Sequence, residues 1–168
     1  MASYGRDDVG HLEEALESLV RQTLKPSEVV LVEDGPISAE ARLVVERYRA
    51  VLNIKSVVMP GNVGLATALN EGLRQCANEV VARFDSDDIA VPERFARQLV
   101  AIEGDQSADV VGCFAQEMDI AGKLGGMRSM PVGHEQILEN LWACPIIHPS
   151  VIYRRSRILA VGAYRTDL

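Results

Sequence analysis

The chain has 168 residues, of which 48% are apolar and 24% are charged, and its formal net charge at pH 7 is -7. This length predicts one domain, and the composition is that of an ordinary globular protein. The acidic balance argues against a nucleic-acid partner, and no apolar stretch reaches the roughly 18 residues of a membrane span. Polar residues follow Met1 where a signal peptide would be apolar, so none is predicted.

The cysteine content indicates a reducing compartment. Cys76, Cys113 and Cys144 are far apart and odd in number, and no Cys-x-x-Cys pair occurs. A disulfide framework normally has an even number of cysteines. We therefore expect structural thiols in a cytoplasmic protein.

Strands and helices alternate through the first hundred residues. One strand ends at Tyr4, and apolar runs predict further strands at residues 28–32, 54–59 and 80–84. Apolar residues at helical spacing predict helices that begin near Asp8, Ser38, Leu65 and Pro92. Because crossovers between parallel strands are right-handed, this order predicts an α/β fold. We expect a three-layer sandwich around a mostly parallel, Rossmann-like sheet.

Shorter elements are predicted for the last sixty residues. Residues 110–117 form a fifth strand, residues 119–123 a hairpin turn and Gly125-Gly126 a loop. A short helix at 134–143, a strand at 149–154 and a helix from Ser156 follow. The run Arg154-Arg155-Ser156-Arg157 is typical of a solvated face, and a peripheral contact with anionic lipid at the inner face of the membrane is the alternative.

Two predicted strands stop in carboxylates. Glu33-Asp34 follow the strand at 28–32, and Asp85-Ser86-Asp87-Asp88 follow the strand at 80–84. The carboxyl ends of parallel strands share one sheet edge, where ligands of open α/β sheets bind. The D-x-D spacing allows Asp85 and Asp87 to share one Mg²⁺ or Mn²⁺ ion. An Asp-rich turn that bonds to its own backbone is the alternative.

A glycine-containing turn lies between these two strand ends. Gly61-Asn62-Val63-Gly64 leads into a helix N-terminus, which offers free amides and a positive dipole end to an anion. Alone, the pattern is more typical of a plain strand-to-helix turn. Beside two acidic strand ends it indicates a bound diphosphate, and the carboxylates would then require a divalent cation to offset their repulsion.

Four segments resemble the family-2 glycosyltransferases of the GT-A fold. They are residues 22–26 (QTLKP), 30–36 (VLVEDGP), 62–73 (NVGLATALNEGL) and 82–88 (ARFDSDD). Residues 148–151 (HPSV) and 161–164 (VGAY) also match the pattern, so the resemblance covers nearly the whole chain. It implies an inverting nucleotide-diphospho-sugar transferase, which moves a sugar from a nucleotide-sugar donor to a glycan or lipid-linked acceptor. UDP is the favoured nucleotide, and Mn²⁺ or Mg²⁺ is the implied cofactor.

The resemblance also implies roles for individual residues. Asp34 contacts the donor base and Tyr4 flanks it, Asp85 faces the ribose or the metal, and Asp87 is the direct metal ligand. The remaining candidates are Asn62, Gly64 and Arg83 on the donor nucleotide, and Asp88 and His148 on the acceptor side. Three of these have structural alternatives, namely an ion pair for Arg83, a turn cap for Asp88 and a structural histidine for His148.

Two departures from the family pattern affect the expected activity. The first strand is shorter than the usual five or six residues. The family's general base lies in a segment downstream of the Gly-x-Tyr region, and we expect it beyond Leu168. Residues 1–168 are therefore expected to form a single GT-A-like domain, incomplete at both ends, that binds donor without the general base. Uncovered apolar surface would favour a homo-oligomer.

Three other functions fit parts of the pattern. A receiver-type phosphoacceptor module shares the acidic strand ends, but its lysine should end a strand and Lys123 follows a polar turn. A calcium loop from Asp85 needs Gly and Glu where Ala90 and Ala96 stand. A sugar nucleotidyltransferase shares the fold and carboxylates, but the residues after Tyr4 do not form its glycine-rich basic loop.

Overall fold

The computed structural model describes residues 1–167, and its strands and helices alternate in the predicted order up to residue 104. The first half contains β1 (Ala2–Ser3), α1 (Val9–Val20), β2 (Val29–Glu33), α2 (Ala39–Leu52), β3 (Ile54–Val58), α3 (Leu65–Gln75) and β4 (Val80–Ala82). The second half contains α4 (Arg94–Gly104), β5 (Val110–Val111), β6 (Ala115–Met118), β7 (Leu124–Arg128), α5 (His134–Glu139), β8 (Ile152–Arg154) and α6 (Arg155–Ala160). The predicted mixed α/β class with a parallel sheet is confirmed.

The strands form three hydrogen-bonded groups. β1, β2 and β3 are parallel, whereas β8 lies antiparallel between β4 and β5, and β6 pairs with β7 as a hairpin. Within residues 1–167, β1 has two residues and pairs with β2, whereas β4 pairs with β8, so β1 and β4 are not hydrogen-bonded neighbours. The prediction that both acidic strand ends belong to one continuous sheet is therefore corrected.

Two local predictions in the second half were wrong. The strand predicted at 110–117 is divided into β5 and β6, which lie in different sheets. The division occurs where the Cys113 amide donates to the Ser150 hydroxyl at 3.2 Å instead of extending the ladder. Gly125 and Gly126, predicted as a loop, belong to β7. The hairpin turn itself is confirmed, since the Asp119 carboxylate accepts from the amides that close it.

The core packs α1 and α2 against one face of β2. The fully buried side chains with the largest volumes include Leu12, Leu16, Leu31, Val45 and Leu52. They come from α1, β2 and α2, so the strand that ends in Glu33-Asp34 is held on one face by these helices. Glu33 is itself buried and pairs with Arg42 at 3.2 Å, which assigns it to the scaffold and leaves Asp34 at the edge.

Several large apolar side chains of the second half face solvent. Ile120 is 97% exposed and Trp142 is 85% exposed. No helix in residues 1–167 is both long and apolar enough to cross a bilayer. The longest, α2, has 14 residues and carries charged side chains.

Candidate functional site

The carboxylate of Asp34 joins the end of β2 to the loop before α3. Asp34 is 6% exposed, and its Oδ1 accepts a hydrogen bond of 2.7 Å from the Val63 amide. The Asp34 amide donates to the Ser3 carbonyl, also at 2.7 Å. Oδ2 has no hydrogen-bond partner within residues 1–167, so one oxygen of this carboxylate can accept from a ligand.

The loop that follows β3 begins α3 with free amides. Gly64 is the N-cap, its φ is +87°, and no side chain caps the helix. The loop also lies close to Gly35, since a β-carbon on Gly35 would be 3.0 Å from the Asn62 amide nitrogen. The first turn of α3 therefore presents its amides near Asp34, in an arrangement suited to an anion.

The carboxylates of Asp85, Asp87 and Asp88 converge after β4. One oxygen from each lies within 4.8 Å of the others. Burial raises the pKa of Asp88, and repulsion from Asp85 and Asp87 raises it further. Opposite oxygen ligands of a six-coordinate Mg²⁺ ion lie about 4 Å apart, since each metal–oxygen distance is about 2.1 Å. The cluster therefore approaches the size of one ion's ligand shell, and a cation would offset its repulsion.

Arg83 supplies a buried positive charge to this cluster. Its side chain is 2% exposed and forms an ion pair with Asp85, whose side chain is 30% exposed. The two side chains are in contact, but Nε and Nη1 of Arg83 are buried and form no hydrogen bond of good geometry with any described residue. The ion pair considered as one interpretation of Arg83 is therefore present, and it orients the Asp85 carboxylate.

Asp7 connects the two strand ends, a role that no spacing in the sequence indicates. Its Oδ2 accepts from the Tyr4 amide at 3.1 Å and from the Ser86 hydroxyl at 2.8 Å. Asp8, and not Asp7, caps α1. Together with the hydrogen bond from Asp34 to Ser3, these contacts link both acidic strand ends through the end of β1. Loop contacts, and not a continuous sheet, bring the two ends together.

His148 lies beside the end of β4. It begins a 3₁₀ turn that leads to β8, and the Val151 carbonyl after this turn accepts from the Arg83 amide at 2.9 Å. The His148 Nε2 lies 3.1 Å from the Tyr164 hydroxyl, and the two rings meet edge to face. Partial burial lowers the pKa of His148, and the Arg83 cation lowers it further. Both effects favour the neutral form of the imidazole.

Two buried polar side chains of α4 hold the acidic loop and the His148 turn together. Nη2 of Arg94 donates to the Arg83 carbonyl at 2.9 Å and to the Pro149 carbonyl at 2.8 Å. Gln98 accepts from Nε of Arg94 at 3.1 Å and donates to the Ser150 carbonyl at 2.8 Å. Sequence reasoning predicted α4 from its apolar residues and missed this polar pair.

Arg94→Met should lower the free energy of unfolding by about 2 kcal/mol, because two buried carbonyl groups lose their donor. Arg97 is exposed on the same helix. Arg97→Met is therefore the matched control and should change stability by less than about 0.5 kcal/mol. Unfolding in urea measures the free energy of unfolding of both variants. An Arg94→Met variant as stable as the Arg97→Met control would show that Arg94 does not hold these loops.

Two arginines of the run at residues 154–157 donate hydrogen bonds to backbone carbonyls of this chain. Arg154 donates through Nη2 to the Ile102 carbonyl at 2.7 Å. Arg155 donates through Nε to the Leu73 carbonyl at 2.9 Å. These contacts tie β8 and α6 to α3 and α4. The lipid-contact interpretation of the run gains no support from them.

The geometry agrees with a comparison against known protein families. The profile described as glycosyl transferase family 2 matches residues 1–160. The chain belongs to this family. The predicted resemblance and the transferase class are confirmed at the level of the family, and the receiver and nucleotidyltransferase alternatives gain no support.

Curated relatives of this family-2 chain include two bacterial glycosyltransferases. The amylovoran biosynthesis glycosyltransferase AmsE of Erwinia amylovora is 35% identical over 170 residues, covering 98% of this chain and 62% of the relative. The UDP-Gal:alpha-D-GlcNAc-diphosphoundecaprenol beta-1,3-galactosyltransferase of Escherichia coli is 33% identical over 168 residues, covering 99% of this chain and 61% of the relative. The family-2 chain thus spans about six tenths of these relatives' length.

Solved structures confirm the GT-A fold. S. aureus TarS 1-349 in complex with UDP superposes with a TM-score of 0.72 at 23% identity, over 99% of this chain and 50% of that one. The mannosyltransferase PcManGT of Pyrobaculum calidifontis, in complex with GDP-Man and Mn²⁺, gives a TM-score of 0.71 at 18% identity, over 99% of this chain and 47% of that one. At these identities the likeness establishes the fold of the family-2 chain.

Proposed function

We propose that this family-2 domain binds a nucleotide-sugar donor, with UDP preferred, and a Mn²⁺ or Mg²⁺ ion between the ends of β2 and β4. The sugar is transferred with inversion to a glycan or lipid-linked acceptor. The observation that carries the proposal is the series of contacts from Asp34 through Ser3, Tyr4 and Asp7 to Ser86. These contacts link the Asp34 carboxylate to the loop that carries the acidic cluster, as the proposed roles require.

The nucleotide side of the proposed site consists of Asp34, Tyr4 and the Asn62–Gly64 loop. The Oδ2 of Asp34 can accept the imide N–H of uracil, because its Oδ1 is already held by Val63. Tyr4 is 43% exposed at the end of β1, so its ring is available beside the base. The amides near Gly64 favour the diphosphate. The complex of TarS with UDP supports the choice of UDP as the nucleotide.

The metal side consists of Asp85 and Asp87. Their oxygens are the hard ligands that Mg²⁺ and Mn²⁺ prefer, and the measured cluster has nearly the required size. Arg83 acts through Asp85 by orienting it, while a direct contact of Arg83 with the nucleotide stays a prediction. When bound, the ion would neutralise the charge that develops on the departing diphosphate. PcManGT, which was solved with Mn²⁺, supports this choice of cofactor.

The acceptor side is assigned to Asp88 and His148. The name of the E. coli relative specifies an acceptor sugar on diphosphoundecaprenol, which supports a lipid-linked acceptor class here. The prediction of a general base beyond Leu168 falls outside the described residues. The domain bounds 1–168, self-association, cytoplasmic location and peripheral membrane contact likewise stay predictions.

Asp34→Asn should weaken UDP binding by about 1 to 3 kcal/mol while leaving Mn²⁺ affinity unchanged. The asparagine oxygen can still accept from the Val63 amide, so the loop is retained. Its NH₂ group would then face the imide N–H, where two donors cannot pair. Calorimetric titration of UDP, GDP and dTDP in Mn²⁺ measures this effect, and UDP should bind most tightly before the substitution.

The outcome separates the two parts of the site. A variant that lost Mn²⁺ affinity would place Asp34 in the metal shell. A variant with unchanged UDP affinity would contradict base recognition by Asp34. Loss of stability is checked by urea unfolding of the same variant.

A further inference from the structure

The segment after α6 turns back onto α3 and places Tyr164 against His148. Gly162 and Ala163 have φ values of +96° and +58°, and a left-handed alanine is strained because its β-carbon crowds the next carbonyl oxygen. The rings of Tyr164 and His148 meet edge to face, with their centroids 5.3 Å apart. The contacts that Tyr164 forms must therefore offset the strain of this turn.

Asn70 of α3 holds the backbone of Tyr164 through two hydrogen bonds. Its Nδ2 donates to the Tyr164 carbonyl at 2.8 Å, and its Oδ1 accepts from the Tyr164 amide at 2.9 Å. Asn70 is 7% exposed, so both hydrogen bonds are shielded from water. The same helix presents its first amides at Gly64. One rigid element therefore carries the proposed diphosphate site and the support of Tyr164.

The direction of the hydrogen bond between Tyr164 and His148 follows from the chemistry of the two groups. The phenol is the more acidic group and the imidazole nitrogen the more basic one, so the Tyr164 hydroxyl donates and Nε2 accepts. Tyr153 agrees with this direction. Burial raises the pKa of Tyr153, and the charge and hydrogen bond of Tyr164 raise it further, as for a hydroxyl that donates to Tyr164. Tyr164 thus accepts from Tyr153 and gives its own hydrogen to His148.

The tautomer of His148 follows from this direction. When Nε2 of a neutral imidazole accepts, the ring hydrogen lies on Nδ1. Nδ1 has no hydrogen-bond partner within residues 1–167, and His148 is exposed. In this state the imidazole has no free lone pair, so it can neither take a proton from a substrate nor bind a metal ion. It can donate one hydrogen bond to an oxygen atom.

We propose that Tyr164, supported by Asn70, is a positioning residue that fixes His148 as a hydrogen-bond donor through Nδ1 to an oxygen of the acceptor sugar. This inference rests on the proposed acceptor role of His148. It goes further because it names the nitrogen that acts, and because it excludes His148 as the general base and as a metal ligand. Sugar hydroxyls suit such a donor, since each oxygen has two lone pairs that can accept.

Nitrogen-15 NMR of the imidazole rings reads the tautomer directly at about pH 8, where a histidine of ordinary pKa is neutral. We expect the Nδ1–H form of His148 to predominate. Tyr164→Phe keeps the ring and removes the hydroxyl, so the ratio of tautomers should shift about five- to tenfold toward Nε2–H, the factor for one neutral hydrogen bond. Tyr48→Phe is the matched control, because the Tyr48 hydroxyl donates to Glu17 at 3.1 Å. It should leave the ratio unchanged.

Asn70→Ala tests the support of Tyr164. Without the two hydrogen bonds to its backbone, Tyr164 should lose its alignment with His148, and the ratio of tautomers should shift in the same direction as in Tyr164→Phe. A merely structural role of Asn70 would lower stability and leave the tautomer unchanged. His11 and His134 form no side-chain hydrogen bond within residues 1–167, so their ring signals serve as internal controls.

Two substitutions of His148 identify the nitrogen that meets the acceptor. The amide nitrogen of asparagine can lie near the position of Nδ1, whereas that of glutamine reaches the position of Nε2. The probes are methyl glycosides of glucose, galactose and N-acetylglucosamine, titrated by NMR with UDP and Mg²⁺ present. The glycoside that binds the unaltered chain most tightly should bind His148→Gln at least about fivefold more weakly than His148→Asn, the factor for one hydrogen bond.

Several results would overturn the proposal. An Nε2–H tautomer in the unaltered chain would do so, as would a ratio of tautomers that Tyr164→Phe does not change. Equal glycoside affinities of His148→Asn and His148→Gln, or no glycoside binding by the unaltered chain, would contradict the acceptor contact. The tautomer is measured without ligand, so a chain that failed to bind UDP would contradict the proposed donor site and not the tautomer assigned to His148.

Discussion

Asp87→Asn should abolish the strengthening of UDP binding by Mn²⁺. In the unaltered chain we expect UDP to bind at least about tenfold more tightly with Mn²⁺ than with a chelator, a difference of about 1.4 kcal/mol. Asp87 is the exposed member of the acidic cluster, so its carboxylate is available to an ion. Asparagine keeps the shape but removes the negative charge that holds the cation, and without the cation the charge of the diphosphate is not offset.

Calorimetry with and without chelator measures this difference for the variant and for a control. Glu103→Gln removes an exposed carboxylate from α4, away from the acidic loop, and should retain the full effect of Mn²⁺. An Asp87→Asn variant that still binds UDP more tightly in Mn²⁺ would show that another group holds the metal.

Gly35→Ala should lower the free energy of unfolding by about 3 kcal/mol and also weaken UDP binding. The φ of Gly35 is +88°, a conformation that costs an L-residue about 1 to 2 kcal/mol. The added methyl would lie 3.0 Å from the Asn62 amide nitrogen, and displacing this backbone costs about 1 to 3 kcal/mol more. Because the displaced loop carries the Val63 amide, Asp34 would lose the contact that orients it.

Gly61→Ala is the matched control for this prediction. A β-carbon on Gly61 would have no atom within 4 Å, although the residue belongs to the same loop. Its effect on unfolding in urea should be below about 0.5 kcal/mol. Similar losses for the two variants would mean that the close approach of Gly35 to Asn62 does not support the loop.

The sequence predicts the parts of this site that depend on local pattern. Asp34 and Asp87 follow apolar runs, so their places at strand ends follow from the periodicity of the strands. Asp7 could not be found in this way, because its partner Ser86 is 79 residues distant along the chain. Arg94 was missed for the same reason, since the Pro149 carbonyl that it binds is 55 residues away.

The sheet shows a second limit of local pattern. Residues 110–117 have the composition of one strand, yet the Ser150 hydroxyl binds the Cys113 amide and divides them. Such a competitor belongs to a distant segment, so no window around Cys113 contains it. The strand count in this region therefore depended on tertiary contacts.

The central claim is that the ends of β2 and β4 form one crevice for a nucleotide and a metal ion. Amide NMR spectra of the chain, recorded with Mn²⁺ alone and then with UDP, test it most directly, because Mn²⁺ broadens signals of nearby nuclei. We predict that Mn²⁺ broadens the amides of residues 85–88, and that added UDP shifts Asp34, Val63 and Gly64 and extends the broadening to them. Broadening confined to a different region, or UDP shifts remote from both strand ends, would contradict the account.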